Sequence, residues 1–481
     1  MKARALVLPL LASLVAGCTP TRVDPAASLP KVERWRNAEA GAAATDPRSL
    51  ASWWQGFQDP VLNRLVTQAL AANRDIKAAQ ARVREARAMV DVAESTLYPS
   101  IELSGSGGRE KRIDRIIAVP GPQGVKLVTP AANAVSGGLV ARWEIDLFGG
   151  RRLEAEAAAE QAASTDEGAR GVRVGLLANL ATNYLELRGI QARTGILREH
   201  IALQQQRLRT VQALFAAGRA NRGDVARQQT ALRSTEAVLP DLLRAADVTI
   251  HRLGVLAGET PTRLQTLLAP AAPLPAAAPR LPGLLPAQLL EQRPDLRLAK
   301  RTVNATAAAL GAAEAELYPR LVLSASGGFG ALAVGGYPSL AETVYALGSG
   351  LSAPLFNAGR IRAGITAADA RLEQAAAEYE RAFLTALEDV ENAYVGHRAA
   401  TEQVEQWARA EEAAVLSHRD AEAFHVRGAT DLLSVLDARR AQLEAREARV
   451  RAQTALAVSV VSLYRAFGGG WSAGADPVAS R

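Results

Sequence analysis

The chain has 481 residues, 48% of them hydrophobic but only 5% aromatic, and a formal net charge of +7. That length holds two or more ordinary domains, and a core poor in aromatics but rich in alanine points to helices packed through small side chains. The basic residues are mostly arginine interleaved with glutamate, as in Glu444-Ala445-Arg446-Glu447-Ala448-Arg449, the pattern of a solvated helix face. No basic patch with stacking aromatics occurs, which argues against a nucleic-acid partner.

Lys2 and Arg4 precede an apolar run from Ala5 to Ala16. The run is too short to span a bilayer and has the shape of a secretory signal, so residues 1–17 are predicted to be a signal peptide. Leu14-Val15-Ala16-Gly17-Cys18 resembles the bacterial lipobox, in which the cysteine is diacylated and becomes the new N-terminus. Cys18 is therefore the predicted lipidation site, against the plainer reading of an ordinary signal with an incidental cysteine. As the sole cysteine it permits no intrachain disulfide. Thr19 is compatible with passage to the outer membrane, and residues 18–52, with Pro20, Pro25 and Pro30, read as a lipid-anchored tether.

From Trp53 to Ala93 the chain reads helical, with Val61, Leu62, Leu65, Val66 and Leu70 at i, i+3/i+4 spacing. Pro99 ends that stretch, and four period-2 segments are predicted as strands, at about 99–112, 135–148, 319–331 and 344–356. In the cleanest, Leu139, Ala141, Trp143, Ile145 and Leu147 alternate with Val140, Arg142, Glu144, Asp146 and Phe148. Each run has the ~10 residues that a tilted strand needs to cross a bilayer. Turn-rich loops, Ile113–Ala134 and Ala331–Thr343, separate the strands of each pair. A soluble hairpin with one wet face uses the same alternation, but four matched strands in an exported chain favour the membrane. An open sheet leaves its edge N–H and C=O groups unpaired in hydrocarbon, so four strands must close into a barrel between chains. Two chains give eight strands and three give twelve.

Long helical hairpins follow each strand pair, at 151–258 and 360–467. Arg151 to Ala217 contains no proline and would extend ~100 Å as one helix. Leu180, Tyr184, Leu187, Ile190, Leu197, Ile201, Leu208, Val211 and Phe215 approximate a heptad seam, with Thr194 and Gln204 at skipped positions. Breaks occur at Gly218-Arg219-Ala220-Asn221 and Arg427-Gly428-Ala429-Thr430. The chain is a duplication: Ala93-Glu94-Ser95-Thr96-Leu97-Tyr98-Pro99 returns 220 residues later as Ala313-Glu314-Ala315-Glu316-Leu317-Tyr318-Pro319. The first repeat is placed at 53–260 and the second at 287–467. A Pro-rich linker, 261–286, joins them, and a flexible tail, 468–481, ends the chain.

Catalytic signatures such as G-x-x-x-x-G-K-[ST] and H-E-x-x-H are missing from the sequence. No enzyme, cofactor or metal site is predicted, although His418 and His425 could share a helix face. Ser28-Leu29-Pro30-Lys31 matches S-x-x-K without its partner motifs.

Five segments carry a family resemblance. They are Trp53-Trp54…Phe57…Asp59-Pro60…Leu62, Trp143-Glu144-Ile145-Asp146-Leu147-Phe148-Gly149, Arg293-Pro294-Asp295-Leu296, Pro354-Leu355-Phe356-Asn357-Ala358-Gly359-Arg360 and Leu433-Ser434-Val435-Leu436-Asp437-Ala438. In this order, and with this duplication, the chain resembles the outer-membrane efflux factors, the TolC-like channels, over nearly its whole mature length. It looks most like the NodT/OprM-like lipoprotein branch of RND tripartite pumps. One departure is Lys300, where relatives often carry Glu.

The resemblance implies a mainly α fold with a transmembrane β-barrel. A homotrimer would share one twelve-stranded barrel set in outer-membrane lipid above a periplasmic α-barrel. It implies a passive exit channel for small toxic compounds or drugs, served by a periplasmic adaptor and an inner-membrane RND-type transporter. The same channel in type I protein secretion is the alternative, and a lipid-anchored coiled-coil scaffold is the reading from another class. The family pattern places a periplasmic gate at Leu433 and Asp437, while a helix-face carboxylate paired with Arg440 competes for Asp437. It places the adaptor contact at the tip turns, on Gly218, Asp224, Gly428 and Asp431. The glycines there most simply supply turn conformations that other residues resist, and Asp431 suits a helix N-terminus.

Overall fold

A computed structural model of the chain describes residues 29–30, 32–38, 50–111, 117–121, 124–128, 131–334 and 340–471. Its main elements in chain order are α1 (Pro60–Ala72), α2 (Arg74–Ser95), β1 (Ser100–Lys111), β2 (Ile117–Gly121), β3 (Gly124–Val128), β4 (Ala131–Ile145), α3 (Gly150–Ala216) and α4 (Arg222–Leu256). They continue with α5 (Pro294–Ala315), β5 (Arg320–Val334), β6 (Leu340–Ser352), α6 (Arg360–Val426) and α7 (Leu432–Ala466). The helices recur in matched lengths: 22 residues for α2 and α5, 67 for α3 and α6, 35 for α4 and α7. Arg74 and Pro294 begin their helices 220 positions apart, whereas Gly150 and Arg360 are 210 apart. The ten-residue difference falls between the strands of the first pair, because Ser100 faces Arg142 and Arg320 faces Ser352.

The described residues fall into two compact units, each drawing on both repeats. The first contains Arg84–Ser164 and Lys300–Glu378. Its antiparallel sheet has the order β1-β4-β5-β6, leaving β1 and β6 as edges. Directly paired residues share a face, so the register Leu103↔Leu139, Leu139↔Gly327, Gly327↔Tyr345, Trp143↔Leu323 and Ala325↔Leu347 builds one apolar face. Ser104, Ser106, Ser136, Arg142, Glu144, Ser324 and Ser326 lie on the other. Among the described residues this apolar face is exposed: Leu103 is 82% exposed, Tyr345 85% and Leu347 86%. Among the described residues, no helix is long and apolar enough to cross a membrane.

At each helix-to-strand junction proline ends the helical run. Ser95 precedes Leu97-Tyr98-Pro99 and β1, and Ala315 precedes Leu317-Tyr318-Pro319 and β5. Trp143 Nε1 donates to Leu97 O at 2.9 Å, and Phe148 stacks on Tyr318 at 4.8 Å between ring centroids. Asp146 turns the chain into α3 by accepting from Arg151 N at 3.2 Å and Arg152 N at 3.0 Å. The stretch expected as the loop Ile113–Ala134 instead carries an antiparallel ribbon, β2–β3, and the start of β4. Both strands of a two-stranded ribbon are edges, and edge strands tolerate proline, here Pro120.

The second unit contains Ser28–Val83, Thr165–Ala299 and Tyr379–Arg481, as far as these ranges are described. Asp59 caps α1, accepting from Val61 N at 2.8 Å and Leu62 N at 3.0 Å. Leu62, Leu65, Val66 and Ala69 then bury one stripe of that helix. Asn73 caps α2 through Asp75 N at 2.8 Å and ties it to α4 through Leu256 O at 2.9 Å.

The Pro-rich linker between the repeats is packed, and so is the start of the tail expected to be flexible. In the Pro-rich linker Leu264, Leu268 and Leu284 are buried. Prolines cannot form a ladder, and the carbonyls left over accept from distant side chains. Gln191 reaches Leu268 O at 2.6 Å, Arg188 reaches Pro270 O at 3.3 Å, Tyr394 reaches Pro282 O at 3.1 Å and Trp35 reaches Leu284 O at 2.6 Å. Gly468–Trp471, expected as the start of a tail, fold back instead. Gly470 N donates to Leu50 O at 2.8 Å, and Trp471 is 1% exposed between the guanidinium groups of Arg170 and Arg297. Gly470 sits at φ +116, where a side chain would be strained and its Cβ would come within 2.7 Å of Leu177. Residues 472–481 lie outside the described residues.

The helical seam also differs in detail from the expected one. Leu180, Tyr184, Leu187, Thr194, Gln204 and Val211 are buried, but Ile196 and Leu203 replace Leu197 and Ile201 as its apolar centre, and Phe215 is exposed. Ile196 and Leu203 pack with Leu436 and Leu443 of α7, so the direction of that partner helix sets which face is covered.

Candidate functional site at the helical tips

The hairpin tips are built by glycine stops and polar caps. After α3, Gly218 takes φ +70 and Arg219 N donates to Leu214 O at 2.8 Å. After α6, Gly428 takes φ +73 and Ala429 N donates to Phe424 O at 2.9 Å. Both turns have the form in which a left-handed residue satisfies the last carbonyls of a helix. Asn221 and Asp224 then form a capping box for α4: Asn221 Oδ1 accepts from Asp224 N at 3.0 Å and Asp224 Oδ2 accepts from Asn221 N at 2.8 Å. Asp224 also holds Arg227.

In the second tip Asp431 Oδ1 accepts from Ser434 Oγ at 2.7 Å and Ser434 N at 2.8 Å. These bonds, the hydroxyl first and the backbone N–H second, hold the Asp431 carboxyl below its ordinary range. A depressed carboxyl contributes its stabilisation above the unfolded value of about 3.9 and loses it as pH falls through the folded one. His425 Nδ1 lies 2.9 Å from Thr430 O across the same turn. The first tip has Phe215 and Ala220 in those places. His418 Nε2 lies 3.4 Å from Glu422, and among the described residues no group of three or more His, Cys, Asp or Glu could hold a metal.

Leu433 and Asp437 lie on the first turns of α7. Leu433 is half-buried against the cluster of Ile196, Leu203, Leu436 and Leu443. Asp437 accepts from Arg207 of α3, and Arg440 lies 3.8 Å away on its own helix. The ion pair expected with Arg440 is thus the longer of two. Arg207 is the more committed partner, with its side chain 15% exposed against 50% for Asp437. Further from the tip, Glu199 meets Arg446 at 3.3 Å and Arg439 at 3.4 Å, and Arg193 meets Glu447 at 2.9 Å. Gln228 donates to Gln204 Oε1 at 2.6 Å beneath this ladder. The arrangement holds α7 against α3 through charge, directly beside the two residues singled out as a gate. Arg207 was not legible in the sequence, because its partner lies 230 residues away.

A four-stranded sheet with one uncovered apolar face, carried on long helical hairpins, is the subunit architecture of a TolC-like outer-membrane channel. The chain belongs to the outer membrane efflux protein family, whose model matches residues 65–259 and 285–469. It is 31% identical over 474 residues to the pyoverdine export outer membrane protein OpmQ of Pseudomonas aeruginosa, covering 98% of this chain and 97% of that protein. It is 29% identical to the toluene efflux pump outer membrane protein TtgI of Pseudomonas putida, over 97% of this chain and 98% of that one. Among solved structures, the outer-membrane channel OprN aligns with TM-score 0.77 at 31% identity, over 95% of this chain and 98% of OprN. The protein is an outer-membrane protein with a large periplasmic helical part.

Proposed function

We propose that the protein is the passive exit channel of a tripartite efflux pump, a homotrimer that releases small toxic compounds. The observation that carries this reading is the sheet, with an apolar face open to lipid and two unpaired edges, β1 and β6. Three copies close twelve strands and leave no edge in hydrocarbon. A periplasmic adaptor meets the tips around Gly218, Asp224, Gly428 and Asp431, and an RND-type inner-membrane transporter supplies the energy. Leu433 and Asp437 form the periplasmic gate: threefold symmetry brings three copies of each towards the axis, as an apolar constriction and a carboxylate ring. Cys18, outside the described residues, carries the lipid anchor; labelled palmitate incorporation that persists in Cys18→Ser would exclude this.

Relatives named for pyoverdine export and toluene efflux support small molecules as cargo over secreted protein. The test is a deletion strain. Increased susceptibility to small toxic compounds, reversed by the intact gene, is the expected result. Unchanged susceptibility with loss of a secreted protein would move the channel to type I secretion.

A further inference from the structure

The duplication gives every residue of α3 and α4 a mate 210 positions on, in α6 and α7. Within one chain α3 packs on α7, and the mate of that contact is α6 on α4. Several side chains of α4 and α6 are exposed where their mates are covered. Val395 is 41% exposed and its mate Leu185 0%; Leu384 is 54% exposed and its mate Val174 7%. Val238 is 46% exposed and its mate Ala448 7%, while Val248 is exposed and its mate Val458 packs on the core. These helix faces are built to be covered, and the repeat says by what: the equivalent helix of a second copy.

We propose that α6 of one copy docks on α4 of the next in the register of the α3–α7 contact, pairing Arg409 with the partner subunit's Glu236. This rests on the trimeric reading above. The mate of Glu199 is Arg409, and the mate of Arg446 is Glu236. The ion pair that joins α3 to α7 at 3.3 Å therefore recurs with its charges exchanged.

The exchange has a consequence for assembly. If the α4 of a neighbouring copy entered the slot of α7, the partner's Glu236 would oppose Glu199. If a neighbouring α7 entered the slot of α4, the partner's Arg446 would oppose Arg409. Directly opposed like charges disfavour both errors, so the two geometrically equivalent slots are told apart. Apolar packing contributes little at this height. The mates of Leu436 and Leu443 are Ala226 and Arg233, and those of Ile196 and Leu203 are Gln406 and Ala413. Charge, not leucine packing, sets the register there. Among the described residues both side chains have local partners: Arg409 lies 3.8 Å from Glu405, and Glu236 accepts from Arg233 at 2.8 Å.

The test uses the full chain extracted from membranes. In the variant carrying Arg409→Cys and Glu236→Cys, a short bismaleimide is expected to give covalent dimer and trimer bands. Protein with Cys18 alone gives none. Arg409→Glu and Glu236→Arg are each expected to lower the temperature at which trimers dissociate, and the double exchange to restore it. Intact trimers by light scattering with no cross-link and no restoration overturn the pairing but leave the trimer standing. Protein that is monomeric under all conditions overturns the reading beneath it.

Discussion

Asp437→Ala is expected to open the channel. In planar bilayers the variant should conduct far more often than the parent, and Arg207→Ala should do the same, because each removes one half of the pair nearest the tip among those that hold α7 to α3. A partly exposed ion pair contributes about 1 kcal/mol, and three symmetric copies acting together about 3 kcal/mol. With tenfold in population for every ~1.4 kcal/mol, the open state should gain roughly a hundredfold. The carboxylate ring and the latch make different forecasts for Arg207→Ala, which keeps the ring and loses the latch. Unchanged conductance in both variants, with trimers intact, would remove Asp437 from the gate.

Trp471→Ala is the substitution expected to cost most in stability. Its ring is buried and lies 4.9 Å from Arg170 and 5.2 Å from Arg297, the two guanidinium groups that also hold the buried carboxylate of Glu167. Removing a buried aromatic costs about 3–5 kcal/mol through lost contact and the cavity left behind. The loss also frees two cations beside a carboxylate with almost no access to water. The measurement is the midpoint of heat unfolding in detergent, which should fall clearly below that of the parent. A midpoint unchanged by Trp471→Ala would mean that the end of α7 is not held by this residue.

The two substitutions mark where the sequence was readable. The sheet was legible because lipid imposes an alternation no turn chemistry obscures: Leu139, Ala141, Trp143 and Ile145 fall on one face by period alone. The helix-to-strand junctions were legible because Leu-Tyr-Pro stops a helix wherever it occurs. Glycine misled at Gly468-Gly469-Gly470, where flexibility is the usual reading. These residues instead allow close approach to Tyr464, Trp53, Leu50 and Leu177. Proline hid the packing of the linker, whose carbonyls accept from Gln191, Arg188 and Tyr394 on distant helices and from Trp35 near the N-terminus. The β2–β3 ribbon hid among glycines and prolines that mask period 2. Arg207 hid for another reason: a charge on a helix face announces its partner only once the neighbouring helix is known.

The direct test of the account is the particle itself. Full-length protein in lipid nanodiscs, imaged by single-particle electron cryomicroscopy, should show a threefold ring in which β1 of one copy pairs with β6 of the next and twelve strands close. A monomer with both edges free, or a closed eight-stranded dimer, would contradict it.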